Sequence, residues 1–337
     1  MPTRALFLGL ALLALGARGA REELTFAVPA ATTLERALES AFTLDLAEMS
    51  LSMDGEEIPP ELLGEFDVHI EHTERYTITD LFEAVDGARP TRLLRTFDEL
   101  GAEERSRTTT EQGEQSDDSE YESALEGQSV LFTWDAEAEA YEVDWASGSE
   151  GEAELLEPLR EDLDLRGFLP AEPVAEGESW DVDVAYFHAV LEPGGDLALL
   201  DPEAEAEPDS SEDQALRENL TGSVRATFAG VSEEEGRRLA RITLAVEAQT
   251  FAAQPLGPED LPEGGEGTSR SDVEFRLQGE LTWDLTGGHA HALELSGEYE
   301  VRSVFELRGE YEGESFEQRQ TMEFGGEIRF GLRITRR

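Results

Sequence analysis

Hydrophobic and polar residues alternate with a period of two along much of the chain. From Val273 to Leu285 the odd positions are apolar or glycine, and the even positions are polar. The same alternation recurs at 66–70, 180–190, 224–228, 242–246, 293–307 and 328–334. Successive side chains of a strand point to opposite faces of a sheet, whereas a helix repeats its apolar positions every three to four residues. The pattern therefore predicts half-buried antiparallel strands.

Glycine recurs inside or beside these predicted strands in the motif apolar–x–Gly–polar. The copies lie at 125–128, 220–223, 277–280, 295–298, 307–310 and 324–327. A glycine within a strand marks a bulge, a sharp bend or a close approach of two backbones. We therefore predict a mainly β fold, with long antiparallel strands in a strongly curved sheet that is barrel-like or a half-barrel.

The other segments predict one short helix and three loops. Leucines at 155, 156, 159 and 163 favour a helix over 152–163, whereas 33–41 fits a helix or a strand. The polar stretch 101–120, the acidic stretch 201–218 and the Gly/Pro-rich stretch 255–271 are typical of loops. The acidic loop 201–218 either separates two sub-domains or interrupts a hairpin.

The first residues have the pattern of a secretory signal. Arg4 precedes an apolar run over 5–15, and the following segment 16–20 is small except for Arg18. Such a run is about 16 Å long as a helix, roughly half of a hydrocarbon core, so it is too short for a retained anchor. We predict a signal peptide over 1–19 and an exported β-rich region over 20–337, located in the periplasm, at the cell surface or outside the cell.

Charge and composition exclude several kinds of chemistry. The chain has 77 acidic and 26 basic residues, a net charge of −51 and no cysteine, and every basic residue is arginine. Disulfides, thiol nucleophiles, Schiff-base lysines and P-loops are therefore absent, and we predict no cofactor. So acidic a surface repels nucleic acid and anionic membranes, and it attracts divalent cations or a basic partner. A surface adapted to salt would have the same composition.

His289 and His291 are the candidate metal ligands. On one strand they would share a face with Leu293, just after a Gly-Gly turn, which is the geometry that two ligands need. No third ligand is evident nearby, and the alternative is a pair of imidazoles beside a turn. We predict no catalytic residue, since none of the familiar catalytic motifs is present.

The segment 169–180 carries a family resemblance. Its sequence, LPAEPVAEGESW, is similar to a Leu-Pro…Pro-Val…Gly…Trp signature of secreted β-rich bacterial proteins without an established function. The prolines would keep the chain extended, Gly177 would turn it, and Trp180 would anchor a new strand in the core. The resemblance implies export and a β fold, and no activity.

These patterns favour an exported acidic β protein that acts as a non-enzymatic binding or envelope-associated module. One alternative is a carrier that holds an apolar ligand in a half-barrel, as lipocalin-like folds do. Another is a hydrolase that uses carboxylates or a His-bound metal. An outer-membrane barrel is a third, although aromatic residues make up only 8% of the chain, few for two aromatic girdles. The expected protein is not stably inserted in a membrane.

Overall fold

The computed structural model describes residues 21–202, 211–257, 261, 265–311 and 314–337, so the predicted signal peptide lies outside the described residues. The described backbone forms fourteen strands: β1 (Thr32–Met53), β2 (Glu56–Glu57), β3 (Phe66–Asp86), β4 (Arg89–Thr110), β5 (Gly113–Ser123), β6 (Ser129–Asp135), β7 (Ala140–Trp145), β8 (Ser179–Val182), β9 (Leu199–Leu200), β10 (Thr221–Glu234), β11 (Arg237–Pro255), β12 (Glu266–Asp284), β13 (His289–Tyr311) and β14 (Glu314–Arg336). Its helices are α1 (Pro60–Leu63), α2 (His188–Leu191) and α3 (Ser211–Glu218), and its 3₁₀ turns are Ala153–Leu155, Arg166–Phe168 and Val184–Phe187.

All of these strands belong to one antiparallel sheet. Its order is β7-β6-β4-β3-β1-β14-β13-β12-β11-β10-β8, with β2 beside β1, β5 beside the far end of β4, and β9 beside β5. The edge strands β7 and β8 do not pair with each other in the part of the chain that the structure describes, so the sheet stays open. The predicted β class and curved half-barrel are thereby confirmed.

A diagonal row of glycines bends this sheet. Gly279 in β12, Gly297 in β13 and Gly326 in β14 lie on the inner face, each displaced by two residues from the previous one. A Cβ atom at any of the three would strike a backbone carbonyl oxygen of a neighbouring strand. At Gly325, which faces the other way, a Cβ atom would meet nothing within 4 Å. The row therefore marks a line where adjacent strands approach too closely for a side chain.

One end of the inner face is covered by residues 146–198, named here the covering segment. It leaves edge strand β7, includes edge strand β8 and buries Phe168, Phe187 and Val190 against the sheet. The rings of Phe187 and Phe275 lie 5.9 Å apart between centroids. Leu24 and Phe26 of the N-terminal segment complete this core. Each such large apolar side chain stabilises the fold by about 1.5–3 kcal/mol when fully buried.

The predicted helix over 152–163 is wrong. Only the 3₁₀ turn Ala153–Leu155 forms there, and Leu159 and Leu163 pack singly onto the sheet. The cause is a competing partner: Arg95 of β4 donates to the carbonyl oxygens of Arg160 and Glu161, both at 2.7 Å. The longest described helix is instead α3, inside the stretch 201–218 that was predicted to be a loop.

Three further predictions need correction, and one ambiguity is resolved. The polar stretch 101–120 is not a loop but most of the β4–β5 hairpin; its alternation is hidden because both of its faces are largely polar. Strand β12 begins at Glu266, inside the predicted loop 255–271, and β8 ends at Val182 instead of continuing to 190. The ambiguous 33–41 is strand.

Strands from both sides of the stretch 201–218 join the same sheet. Residues 203–210 of this stretch lie outside the described residues, and a division into two sub-domains stays a prediction.

The segment 169–180 introduces edge strand β8. Val174 forms a β-bridge with Glu22 of the N-terminal segment, and Gly177 adopts a φ of +83° in the turn that follows. Trp180 Nε1 donates to the Phe168 carbonyl oxygen at 2.9 Å. The segment therefore ties the N-terminal residues and the covering segment to the sheet edge.

Candidate functional site

The inner face of the sheet has a packed half and an open half. The packed half lies under the covering segment, which reaches Leu38 of β1, Tyr76 of β3 and Phe330 of β14. The open half begins four residues further along β1 and β3, at Phe42 and His72, and continues to the far strand ends. A cavity of about 20 Å³ lies between the covering segment and the sheet beside Leu38, Tyr76 and Phe330, with room for about one water molecule.

Large apolar side chains line the open half and are only half-buried. They are Phe42, Leu46, Met49, Leu51, Phe66, Val68, Ile70, Tyr299, Val301, Phe305, Leu307, Phe316, Met322 and Phe324. Phe42, Tyr299 and Val301 contact the buried core, whereas the others lie beyond it. They form an apolar stripe along β3, β1, β14 and β13, four adjacent strands.

Polar residues flank this stripe on both sides. On β4 the inner positions beyond the packed half hold Glu104, Ser106 and Thr108. On β12 they hold Ser269 and Ser271. The stripe is therefore a bounded, mainly apolar surface about four strands wide, or roughly 15–20 Å at the usual strand spacing. Ser303, Gln318 and Gln320 are polar inner positions within it.

A charged cluster lies where the packed half meets the open half. His72 Nε2 is 3.4 Å from Glu74 Oε1, and His72 Nδ1 is 3.3 Å from Glu104 Oε2. The ring of Phe42 stacks on the imidazole at 5.0 Å, and Tyr121 approaches it edge-on at 6.1 Å. The pairing register puts the cluster on one face, because His72 lies opposite both Phe42 and Glu104.

The two carboxylates keep His72 protonated at neutral pH. Burial by itself lowers the pKa of the imidazole, but hydrogen bonds and charge attraction from Glu104 and Glu74 outweigh it and raise the pKa to about 9. His69 lies on the opposite face, as the three-residue spacing predicts, with Nδ1 2.7 Å from Asp45 Oδ1. The two histidines therefore do not form one site.

The packed half contains a buried ion network that joins sheet to covering segment. Arg36 Nη1 lies 2.9 Å from Asp80 Oδ2, and Arg36 Nη2 lies 2.6 Å from Asp164 Oδ1. Arg95 donates to both oxygens of Asp80, at 2.8 and 3.0 Å. Burial raises the pKa of Asp164, but Arg36 and Arg166 more than reverse this and lower it. Because guanidinium groups neutralise both carboxylates, the network clamps the two layers together and offers no free acid or base.

Glu161 is the buried carboxyl with a raised pKa. Burial raises the pKa to about 7, against the attraction of Arg166, whose Nη2 is 2.5 Å from Glu161 Oε2. A raised carboxyl pKa is a common feature of catalytic acids. Here, however, Glu161 belongs to the covering segment and is buried, so a substrate would have to displace that segment to reach it.

His289 and His291 lie at the start of β13, beside a β-bulge. Thr282 pairs with Ala292 and Trp283 pairs with Ala290, so His291 is the extra residue without a partner in β12. His289 is buried, with Nδ1 2.6 Å from the Ala290 carbonyl oxygen, and His291 is half-buried with a lowered pKa, chiefly because of burial. Among the described residues, no group of three or more His, Asp or Glu side chains could hold a metal. A metal at these histidines stays a prediction.

Comparison with known proteins yields no relative. No family model matches the chain, and no curated protein matches it. Among solved structures, an outer membrane channel from Pseudomonas putida F1 is 11% identical, with 92% of this chain and 98% of that chain covered and a TM-score of 0.20. A secretin-domain β-barrel of a Salmonella injectisome is 8% identical, with 91% and 63% covered and a TM-score of 0.16. Likenesses this low carry no argument about fold or function.

No helix within the described ranges is long and apolar enough to cross a membrane.

Proposed function

We propose that this protein is an exported, non-enzymatic binding protein whose open half holds an apolar ligand. The observation that carries the proposal is the apolar stripe, where large side chains such as Met49, Phe305 and Met322 stay half-buried on a concave face. Soluble proteins seldom leave contiguous apolar surfaces uncovered unless something binds there.

The packed half supports this assignment by contrast. The covering segment packs Phe168, Phe187 and Val190 against its end of the inner face, and the cavity at its border with the stripe is only about 20 Å³. The packed half therefore forms a rigid base, and the open half is a preformed surface attached to it. A ligand in such a surface is bound mainly by removal of apolar area from water.

Export is part of the same proposal and rests on the predicted signal peptide over 1–19. A carrier that works outside the cytoplasm would also benefit from a strongly acidic surface, because the charge keeps a protein with an exposed apolar stripe soluble and monomeric.

The test uses an uncharged fluorescent probe, N-phenyl-1-naphthylamine, which brightens in apolar surroundings. We expect the full mature chain to bind it and straight-chain alcohols to displace it. Each added methylene group should raise the affinity of the alcohol about fourfold, since burying one methylene contributes about 0.8 kcal/mol.

Two neighbouring substitutions locate the site. Met322→Gln places an amide in the stripe and should weaken probe binding severalfold. Thr321→Gln makes the matching change on the opposite face of β14, where the pairing places Thr321 opposite Ser50, and should leave binding unchanged. Equal effects of both variants, or no dependence on alcohol chain length, would refute the proposal.

A further inference from the structure

The arginines on the strands of the open half all lie on the outer face of the sheet. Arg75, Arg105, Arg107, Arg270, Arg276, Arg302, Arg308, Arg319 and Arg329 occupy the outer positions of their strands. Many pair there with carboxylates, as Arg276 does with Glu300 at 2.8 Å. The chain has no lysine. An anionic group on a ligand in the apolar stripe would therefore meet no guanidinium on the strands beneath it, and the nearest helix arginine, Arg217 of α3, is already paired with Glu192 and Asp196.

The charged cluster at the inner end of the stripe is acidic in sum. His72 supplies one positive charge, whereas Glu74 and Glu104 supply two negative charges. Glu74 also accepts a hydrogen bond from Ser40 Oγ at 3.2 Å, and its side chain is 24% exposed. Glu104 is the more accessible, with 36% of its side chain exposed. One carboxylate thus stays available at the point where the apolar stripe ends.

We propose that the ligand of the open half is an amphiphile with a cationic head group, whose chain lies on the apolar stripe and whose head pairs with Glu104. The inference rests on the proposed function and deepens it. Charge complementarity decides the class, because an anionic head would face Glu74 and Glu104 with only an already paired imidazolium to receive it. An uncharged head gains the apolar contact alone.

The experiment compares three ten-carbon ligands by displacement of N-phenyl-1-naphthylamine from the full mature chain. Decyltrimethylammonium should bind about fivefold more tightly than decanol, and decanoate about fivefold more weakly. A factor of five is what one charge pair near 4 Å is worth in a watery setting. The quaternary ammonium keeps its charge at every pH, so only protein groups titrate.

A matched pair of variants separates the local carboxylate from the charge of the whole surface. Glu104→Gln should remove the advantage of decyltrimethylammonium over decanol while the probe still binds, which also shows that the stripe is intact. Glu298→Gln deletes the same charge on the outer face, where Glu298 is 72% exposed, and should keep the advantage.

The outcomes separate this inference from the proposed function. If the probe binds but the three ligands are equal, or decanoate is the tightest, the cationic ligand class is refuted and the apolar site stands. If both variants lose the advantage equally, the attraction belongs to the whole surface and the role of Glu104 is refuted. If the probe does not bind at all, the apolar site fails, and the ligand class fails with it.

Discussion

The packed and open halves of the inner face are built from the same strands and differ in what lies on them. Strands β1, β3, β13 and β14 run through both halves with the same alternation of apolar and polar positions. In the packed half the covering segment seals the apolar side chains, and arginines pair with the buried carboxylates. In the open half the side chains are half-buried, and the cation is a histidine.

This difference suits the two ends of the sheet to different roles, stability in the packed half and binding in the open half. Burial of apolar area concentrates stability in the packed half, and the buried ion network there is costly to break once it has formed. The open half has fewer buried contacts, which is where proteins generally place surfaces that bind other molecules. Each long strand is thus anchored in the core at one end and carries the binding surface at the other, where that surface stays outside the core.

The largest expected effect is loss of the carboxylate shared by two buried arginines. Asp80→Asn should lower the free energy of unfolding by about 3–5 kcal/mol, because Arg36 keeps only Asp164 and Arg95 keeps only carbonyl partners. Urea unfolding followed by circular dichroism measures the change.

The control for this substitution removes an exposed ion pair of similar geometry. Glu83 Oε2 lies 2.5 Å from Arg92 Nε at the surface, and Glu83→Gln should cost less than about 1 kcal/mol. Similar costs for the two variants would mean that the buried network does not clamp the packed half.

The next effect compares one phenylalanine from each half. Phe187→Ala removes a ring that is fully buried under the covering segment and should cost about 3–5 kcal/mol. Phe324→Ala removes a half-buried ring of the apolar stripe and should cost about 1–2 kcal/mol, in proportion to the smaller area that it buries. It should also weaken binding of the naphthylamine probe, which Phe187→Ala should not do at temperatures where the variant stays folded. If the two variants lost equal free energies of unfolding, the two halves would not differ in how much they contribute to stability.

The sequence predicts the strands, the curvature and the open half-barrel, because alternation and strand glycines report local backbone geometry. It does not predict which half is covered, because alternation shows only that one face is apolar and not what packs on it. A signal for the buried network was nevertheless present. Charged residues occupy apolar positions of three strands: Arg36 between Leu34 and Leu38, Asp80 between Ile78 and Phe82, and Arg95 between Leu93 and Phe97.

The covering segment was the hardest part to predict. Its leucine spacing favours a helix, but Arg95, which is distant in sequence, takes carbonyl oxygens that a helix would use. Likewise His72 looks unremarkable until β3 and β4 pair and bring Glu104 opposite it. Both features depend on contacts between strands and segments far apart in the chain, which no local pattern records.

The smallest expected effect is a pH dependence of the free energy of unfolding, which arises because the cation of the open half is a histidine and those of the packed half are arginines. Arginine keeps its charge in the packed half up to high pH, whereas His72 loses its charge near its pKa of about 9. Between pH 7.5 and 9.5 few other groups titrate: the chain has no lysine or cysteine, Glu161 with a pKa of about 7 is largely ionised, and burial raises the pKa of the neighbouring Tyr121 above its usual 10. Glu74 and Glu104 are the carboxylates that face His72.

The sign follows from proton binding. The pKa of His72 is raised above the 6.5 of an unfolded chain, so the folded protein keeps a proton that the unfolded chain has released. Its contribution to stability is complete below pH 6.5 and is lost as pH rises through 9. The slope is at most about 1.4 kcal/mol per pH unit, which is the value for one proton.

We expect the free energy of unfolding of the wild-type chain, measured with urea, to fall by about 1–2 kcal/mol from pH 7.5 to 9.5. In His72→Gln it should fall much less. His188→Gln is the control, because burial lowers the pKa of His188 and keeps its titration below this window. If the free energy of unfolding of His72→Gln falls with pH as steeply as that of the wild-type chain, the imidazolium does not stabilise the open half. Binding of decyltrimethylammonium should then be insensitive to pH as well.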